Sequence, residues 1–171
     1  MARLKFAPNG WKPAANASSS VNILDNVLAL IEASDLAGAI RRSLWLYPTI
    51  NVLHVLGVMV LFAAVAAMDV RILRNGTAGA RAFVGRIRPW AIGALVLQVA
   101  TGFLLFVPEA THIGGNTVLQ IKLGVIVVAL LNVVGLEFAL RGDAATAKAA
   151  AVASLALWLS VAALGRLIAY F

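Results

Sequence analysis

Hydrophobic and polar positions are unevenly spread along this chain. Four long apolar runs alternate with short polar segments. The first run, Pro48–Met68, is twenty-one residues without a formal charge. As a helix it reaches ~30 Å, the thickness of bilayer hydrocarbon. Pro48 opens it, where a missing N–H costs little. The others cover Pro89 to Val107, Val118 to Leu140 and Ala149 to Phe171. Upstream, Leu24, Val27, Leu28 and Ile31 share one helical face, with Asp25, Asn26 and Glu32 off it. That spacing predicts an amphipathic helix over residues 21–33 capped by Ser20, with Ser34 capping further turns to Ile40. Its acids suit the membrane interface better than a span.

The expected fold is all-α: an integral membrane four-helix antiparallel bundle preceded by an interfacial amphipathic helix. Residues 1–20 read as a flexible tail, broken by Pro8, Gly10, Pro13 and a serine run. Residues 21–47 form the interfacial segment, ending in the aromatic belt of Trp45 and Tyr47. Residues 48–171 form the four-span membrane domain, with spans at about 48–68, 89–107, 118–140 and 149–171. Short connections imply up-down neighbours.

Composition strengthens this reading. Of 171 residues, 62% are hydrophobic, against ~45–50% in soluble domains. A net charge of +7 would suggest nucleic acid in a soluble protein. Here the basic residues gather at the ends of apolar runs, so no nucleic-acid partner is expected. The connections 69–88 and 141–148, both read as loops or turns, hold seven Lys or Arg, and the connection 108–117 holds none. The positive-inside rule puts the first two in the cytoplasm. Both termini then lie outside, in the periplasm of a bacterium whose inner membrane the chain crosses. Asp69 with Arg71, and Glu137 with Arg141, are expected to pair at the cytoplasmic edge. The chain has no cysteine, so disulfides, thiolate metal sites and covalent haem attachment are excluded.

Few polar side chains interrupt the spans, and their depths coincide. At 1.5 Å per residue, His54 and Thr101 each lie ~9 Å below the outer edge, Lys122 ~6 Å and Arg166 ~8 Å. Asn51 lies one turn above His54 and Gly57 one turn below. His112 and Glu109 sit in the outer connection. An ionisable residue inside a span is a candidate site. A neutral imidazole there suits haem iron or copper. In that reading His54 is the axial ligand, alone or with His112. Lys122 and Arg166 face haem propionates, and Gly57 leaves a gap for a porphyrin edge. The same residues also have plainer readings: His54 and Thr101 as interhelical hydrogen-bond partners, Lys122 and Arg166 as snorkelling cations, His112 as a loop residue. No nucleophile–base pair, phosphate loop or carboxylate pair appears, so a self-contained enzyme is not expected.

Ser43-Leu-Trp45-Leu-Tyr47-Pro48, Leu53-His54-Val-Leu-Gly57, Asp69-Val-Arg71, Arg88-Pro89-Trp90, Thr101-Gly102-Phe103, Gln120-Ile-Lys122 and Gly165-Arg166-Leu-Ile-Ala-Tyr170 form a pattern. Over about residues 43–171 it resembles a family of small bacterial four-helix membrane proteins of unassigned function. It is more distantly similar to the membrane domain of copper-resistance D-type proteins. The latter likeness implies copper handling or haem, with His54 as the carried-over position. Three functions are therefore expected in turn. One is a haem b electron-transfer subunit working with a periplasmic donor and quinone or another membrane partner. The second is a cofactor-free anchoring subunit of a larger complex, and the third a copper or small-solute handling protein.

Overall fold

The computed structural model describes residues 18–170. The tail expected over residues 1–20 falls outside them up to residue 17. Helix α1 covers Ser18–Glu32, α2 Asp35–Arg42 and α3 Leu46–Phe106. A 3-10 turn, Val107–Glu109, runs into α4, Ala110–Gly114; α5 covers Thr117–Ala139, α6 Ala144–Leu167, and a last 3-10 turn Ile168–Tyr170. Three stretches are long and apolar enough to cross a membrane: one beginning at Leu46, Thr117–Ala139 and Ala144–Leu167.

The first of these is not one rod. Gly76 has φ 65° and ψ −173°, a combination that a Cβ forbids and glycine tolerates. It divides α3 into two limbs, residues 46–75 and 77–106. Gln98 Nε2 donates to the carbonyl of His54 at 2.7 Å, and Arg71 lies over the ring of Phe83. These pairs sit almost symmetrically about Gly76, so the limbs run antiparallel. A straight helix would separate residues 54 and 98 by ~66 Å.

The helices outrun the apolar windows. Residues 69–88, expected to be a loop, are helical on both sides of Gly76. Hydropathy falls there, but Arg, Ala, Leu and Ile support helix on either side of the Asn75–Gly79 stretch. Ile72, Ala80 and Val84 are buried and pack with Ala139, Leu140, Ala147 and Ala151. Pro89, expected to start a helix, lies inside the second limb. A second cluster, further from the turn, joins Leu61, Ala64, Val65, Ala91, Ala94, Ala129 and Trp158. Its many alanines let backbones approach closely. Helix α6 is the hub, making its main contacts with α3 and α5. Much of the outward surface is apolar, including Met59, Val96, Val99, Leu131 and Leu159. Such a surface calls for an apolar solvent, a lipid bilayer.

Side-chain caps set several helix starts. Ser34 Oγ accepts the Ala37 amide at 3.3 Å. Asn116 Oδ1 accepts the amides of Val118 and Leu119 at 2.8 and 3.2 Å. Asp143 Oδ2 accepts the Thr146 amide at 2.9 Å. Ser20, expected as a cap, lies within α1.

Helices α1 and α2 pack on the connector between α3 and α5. A Cβ on Gly114 would meet Leu28 Cδ1 at 2.7 Å, so a larger residue there would displace the Leu28 side chain that α1 packs against this turn. Arg41 latches the assembly by donating to Pro108 O at 2.9 Å and Glu32 O at 2.8 Å. The Glu32 carboxylate accepts the amide of Thr111 at 2.8 Å, and its hydroxyl as well. Those two bonds, with the nearby cations Arg41 and His112, hold the Glu32 carboxyl below its usual range.

Candidate functional site

His54 lies on the first limb, half-buried against the second. Its Nδ1 is 2.8 Å from Thr101 Oγ1. The Thr101 hydroxyl donates to Leu97 O at 2.7 Å, which uses its one proton. With the hydroxyl proton directed to Leu97 O, Thr101 accepts from His54 and the imidazole proton sits on Nδ1. The lone pair is left on Nε2. A hydrogen bond of this kind fixes the orientation of an imidazole and leaves its other nitrogen free. Thr101 is 4% exposed, so water competes little for the bond.

The surroundings are crowded with small residues. A Cβ on Gly102 would lie 3.3 Å from His54 Cε1. Glycine there lets the ring lie against the second limb. Gly57 does not leave the gap expected for a porphyrin edge: the Gln98 carboxamide fills it, and a Cβ at Gly57 would fall 2.3 Å from Gln98 Nε2. Gln98 takes that place because its donor satisfies the His54 carbonyl.

The other candidates divide. Half-buried Lys122 extends over Gly165, whose Cβ position is 3.2 Å from Nζ. Its ammonium is an electrostatic neighbour of the His54 ring. Arg166 is exposed and turned along its own helix, with Nη2 3.3 Å from Tyr170 Oη and the guanidinium over the Tyr170 ring. Asn51 is exposed and lines a shallow cavity of about 190 Å³ with Val52, Val55 and Leu56. His112 lies on α4, beside Thr111 and Glu32. No hydrogen bond among the described residues links it to His54. Among the described residues no three His, Asp or Glu side chains gather at metal-binding distance. The residues brought together are thus His54, Thr101, Gln98, Gly57 and Gly102, with Lys122 nearby.

At the other end of the limbs, Glu137 pairs with Arg141 at 3.4 Å, as its i,i+4 spacing predicts, and also with Arg88. Asp69 does not pair with Arg71. It is 1% exposed and faces Ser154 of α6. Asp69 Oδ2, Ser154 Oγ and Trp158 Nε1 are all buried without a hydrogen-bond partner among the described residues. The correction is one of face. Residue 69 continues the buried stripe of Leu61, Val65 and Ile72, while Arg71 lies on the opposite side over Phe83. That stripe was the available signal.

Comparison of the chain with protein-family models, curated proteins and solved structures returns no match.

Proposed function

We propose that this chain crosses the bacterial inner membrane four times as an antiparallel bundle. In this reading it presents His54 as the ligand of a haem b-type group near the outer face and takes part in electron transfer. The single observation behind it is the 2.8 Å contact of His54 Nδ1 with buried Thr101 Oγ1, whose hydroxyl also reaches Leu97 O at 2.7 Å; with that proton on Leu97 O, Nδ1 donates and Nε2 is freed. A ligand imidazole held in one tautomer needs such a partner. Haem is the first choice over copper because no three His, Asp or Glu side chains gather among the described residues, and a haem iron needs only one imidazole from the chain. A mono-imidazole site is favoured, since His112 lies on α4 close to Glu32 of α1 and no hydrogen bond among the described residues links it to His54. Lys122 would offer charge to a propionate; Arg166 would first have to leave Tyr170. A bound haem would supply one-electron chemistry, while the chain holds the ligand nitrogen and excludes water from the Thr101 bond. The arginine-rich turn at Gly76 lies on the cytoplasmic side and both termini on the periplasmic side.

The test is an optical spectrum of protein purified from its own membranes. A Soret band should shift on adding dithionite and vanish in His54→Ala. A colourless preparation without iron refutes the haem reading, and stoichiometric copper instead of iron redirects it.

A second reading, a cofactor-free anchoring subunit, draws on the apolar ridge of α1. Ile23, Leu24, Val27 and Leu30 are exposed there, and Leu44 and Trp45 beyond α2. Gentle solubilisation should then recover a larger complex; a protein that runs alone as a monomer rejects it.

A further inference from the structure

Beside the turn at Gly76, the limbs of α3 leave an open cavity of about 470 Å³ lined by Ala67, Val70, Arg71, Arg74, Asn75 and Phe83. The lining has two characters. Ala67, Val70 and Phe83 are apolar, whereas Arg71, Arg74 and Asn75 carry hydrogen-bond donors. The Arg71 guanidinium lies 5.7 Å from the centroid of the Phe83 ring. Stacking fixes its plane and leaves the N–H edge free for an acceptor. Among the described residues, Arg41, Arg88 and Arg141 have carboxylate partners, and Arg71 and Arg74 have none. Asp69, the nearest acid in sequence, is buried on the opposite face against α6. Two uncompensated positive charges therefore stand above an apolar floor. They stand just where the uncharged run Pro48–Met68 ends, the level of lipid headgroups.

The geometry points to this cavity as a binding site for the phosphodiester of an anionic phospholipid, held by Arg71, Arg74 and Asn75 with acyl carbons along Ala67 and Val70. Guanidinium groups match phosphate oxygens in charge and in fork geometry. Inorganic phosphate shares that chemistry, but it gains nothing from the apolar floor. The inference uses the bilayer placement of the chain and is independent of any group on His54.

The test titrates the full chain, purified in detergent, with phosphatidylglycerol or phosphatidylcholine, and counts retained lipid by native mass spectrometry. Each basic residue near an anionic headgroup is worth roughly fivefold in affinity, so Arg71→Ala with Arg74→Ala should weaken phosphatidylglycerol retention by ~30-fold. Arg86→Ala with Lys148→Ala removes the same charge from exposed positions outside the cavity and should change retention little. Arg71→Lys with Arg74→Lys, which keeps charge and helix but loses the fork, should fall between. Equal loss in the Arg86/Lys148 pair would show diffuse attraction and overturn the site. So would equal retention of phosphatidylcholine, or displacement of phosphatidylglycerol by inorganic phosphate at matched ionic strength.

Discussion

Asp69→Asn offers a sharp test of the core, because the wild-type carboxylate is enclosed by protein with no cation paired to it among the described residues and only the Ser154 hydroxyl facing it. Asp69 is 1% exposed, and its Oδ2, Ser154 Oγ and Trp158 Nε1 lack partners among the described residues. A buried neutral polar group without a partner costs about 1–3 kcal/mol, and a lone charge costs more. Asparagine has nearly the same shape, so packing against Ile72 and α6 is kept. It removes the charge and brings an amide donor toward the Ser154 hydroxyl. The variant should be more stable by about 1–3 kcal/mol. For a chain of this length, a gain of ~2 kcal/mol corresponds to a melting temperature ~4–8 °C higher. Thermal unfolding of the detergent-solubilised protein, followed by Trp fluorescence, measures it. Ser154→Ala is the comparator and should lie within ~1 kcal/mol of wild type, because it removes an unpaired hydroxyl at little cost in volume. A clearly lower melting temperature for Asp69→Asn would refute the reasoning. It would mean that the carboxylate holds a cation, a water or a proton whose loss outweighs the relief of its burial.

Other expectations follow from single contacts. Thr101→Val removes the acceptor of the His54 Nδ1 proton, so nitrogen NMR of labelled histidine should change from one tautomer to a mixture, with a stability loss of ~0.6–1.7 kcal/mol; an unchanged tautomer rules out Thr101 as its determinant. Asn132→Leu deletes the 3.0 Å bond from Nδ2 to Ala150 O between α5 and α6 and should cost a similar ~0.6–1.7 kcal/mol, read from the same thermal melts. The Glu32 carboxyl is held below its ordinary value of 4.5 by Thr111, and then by Arg41 and His112. Its stabilising share in the α1–α4 contact is thus complete above that value and lost as pH falls through the lower folded value. Hydrogen exchange in α1 should accelerate over that acidic window and not in Glu32→Gln, whose exchange should already be fast at neutral pH.

The interiors of the membrane helices were legible because hydropathy and length suffice to find them: Pro48–Met68 lies wholly inside α3. Their extent was not. Hydropathy drops after Met68, while Arg, Leu, Ile and Ala keep helix propensity on either side of Asn75–Gly79, so the limbs continue up to a one-residue reversal. Depth arithmetic set His54 and Thr101 at one level, and they touch. It also set Arg166 there, but depth carries no azimuth, and Arg166 turns to Tyr170. Gly57 misled for a related reason. A missing side chain was read as space, yet the antiparallel register delivers Gln98 into it. Asp69 was read by its sequence neighbour rather than by its face. The Gly57 error vanishes once the register about Gly76 is known, and that register depends on the φ and ψ of one residue.

A reversal made by a single glycine has a mechanical outcome. From Met68 to residue 75 the first limb advances ~10 Å beyond its greasy stretch without ceasing to be helical, and the second limb returns alongside. What emerges on the arginine-bearing side is a stiff two-pronged fork rather than a slack connection. Whatever docks there meets guanidinium groups at preset spacings, with no folding of the fork required on contact.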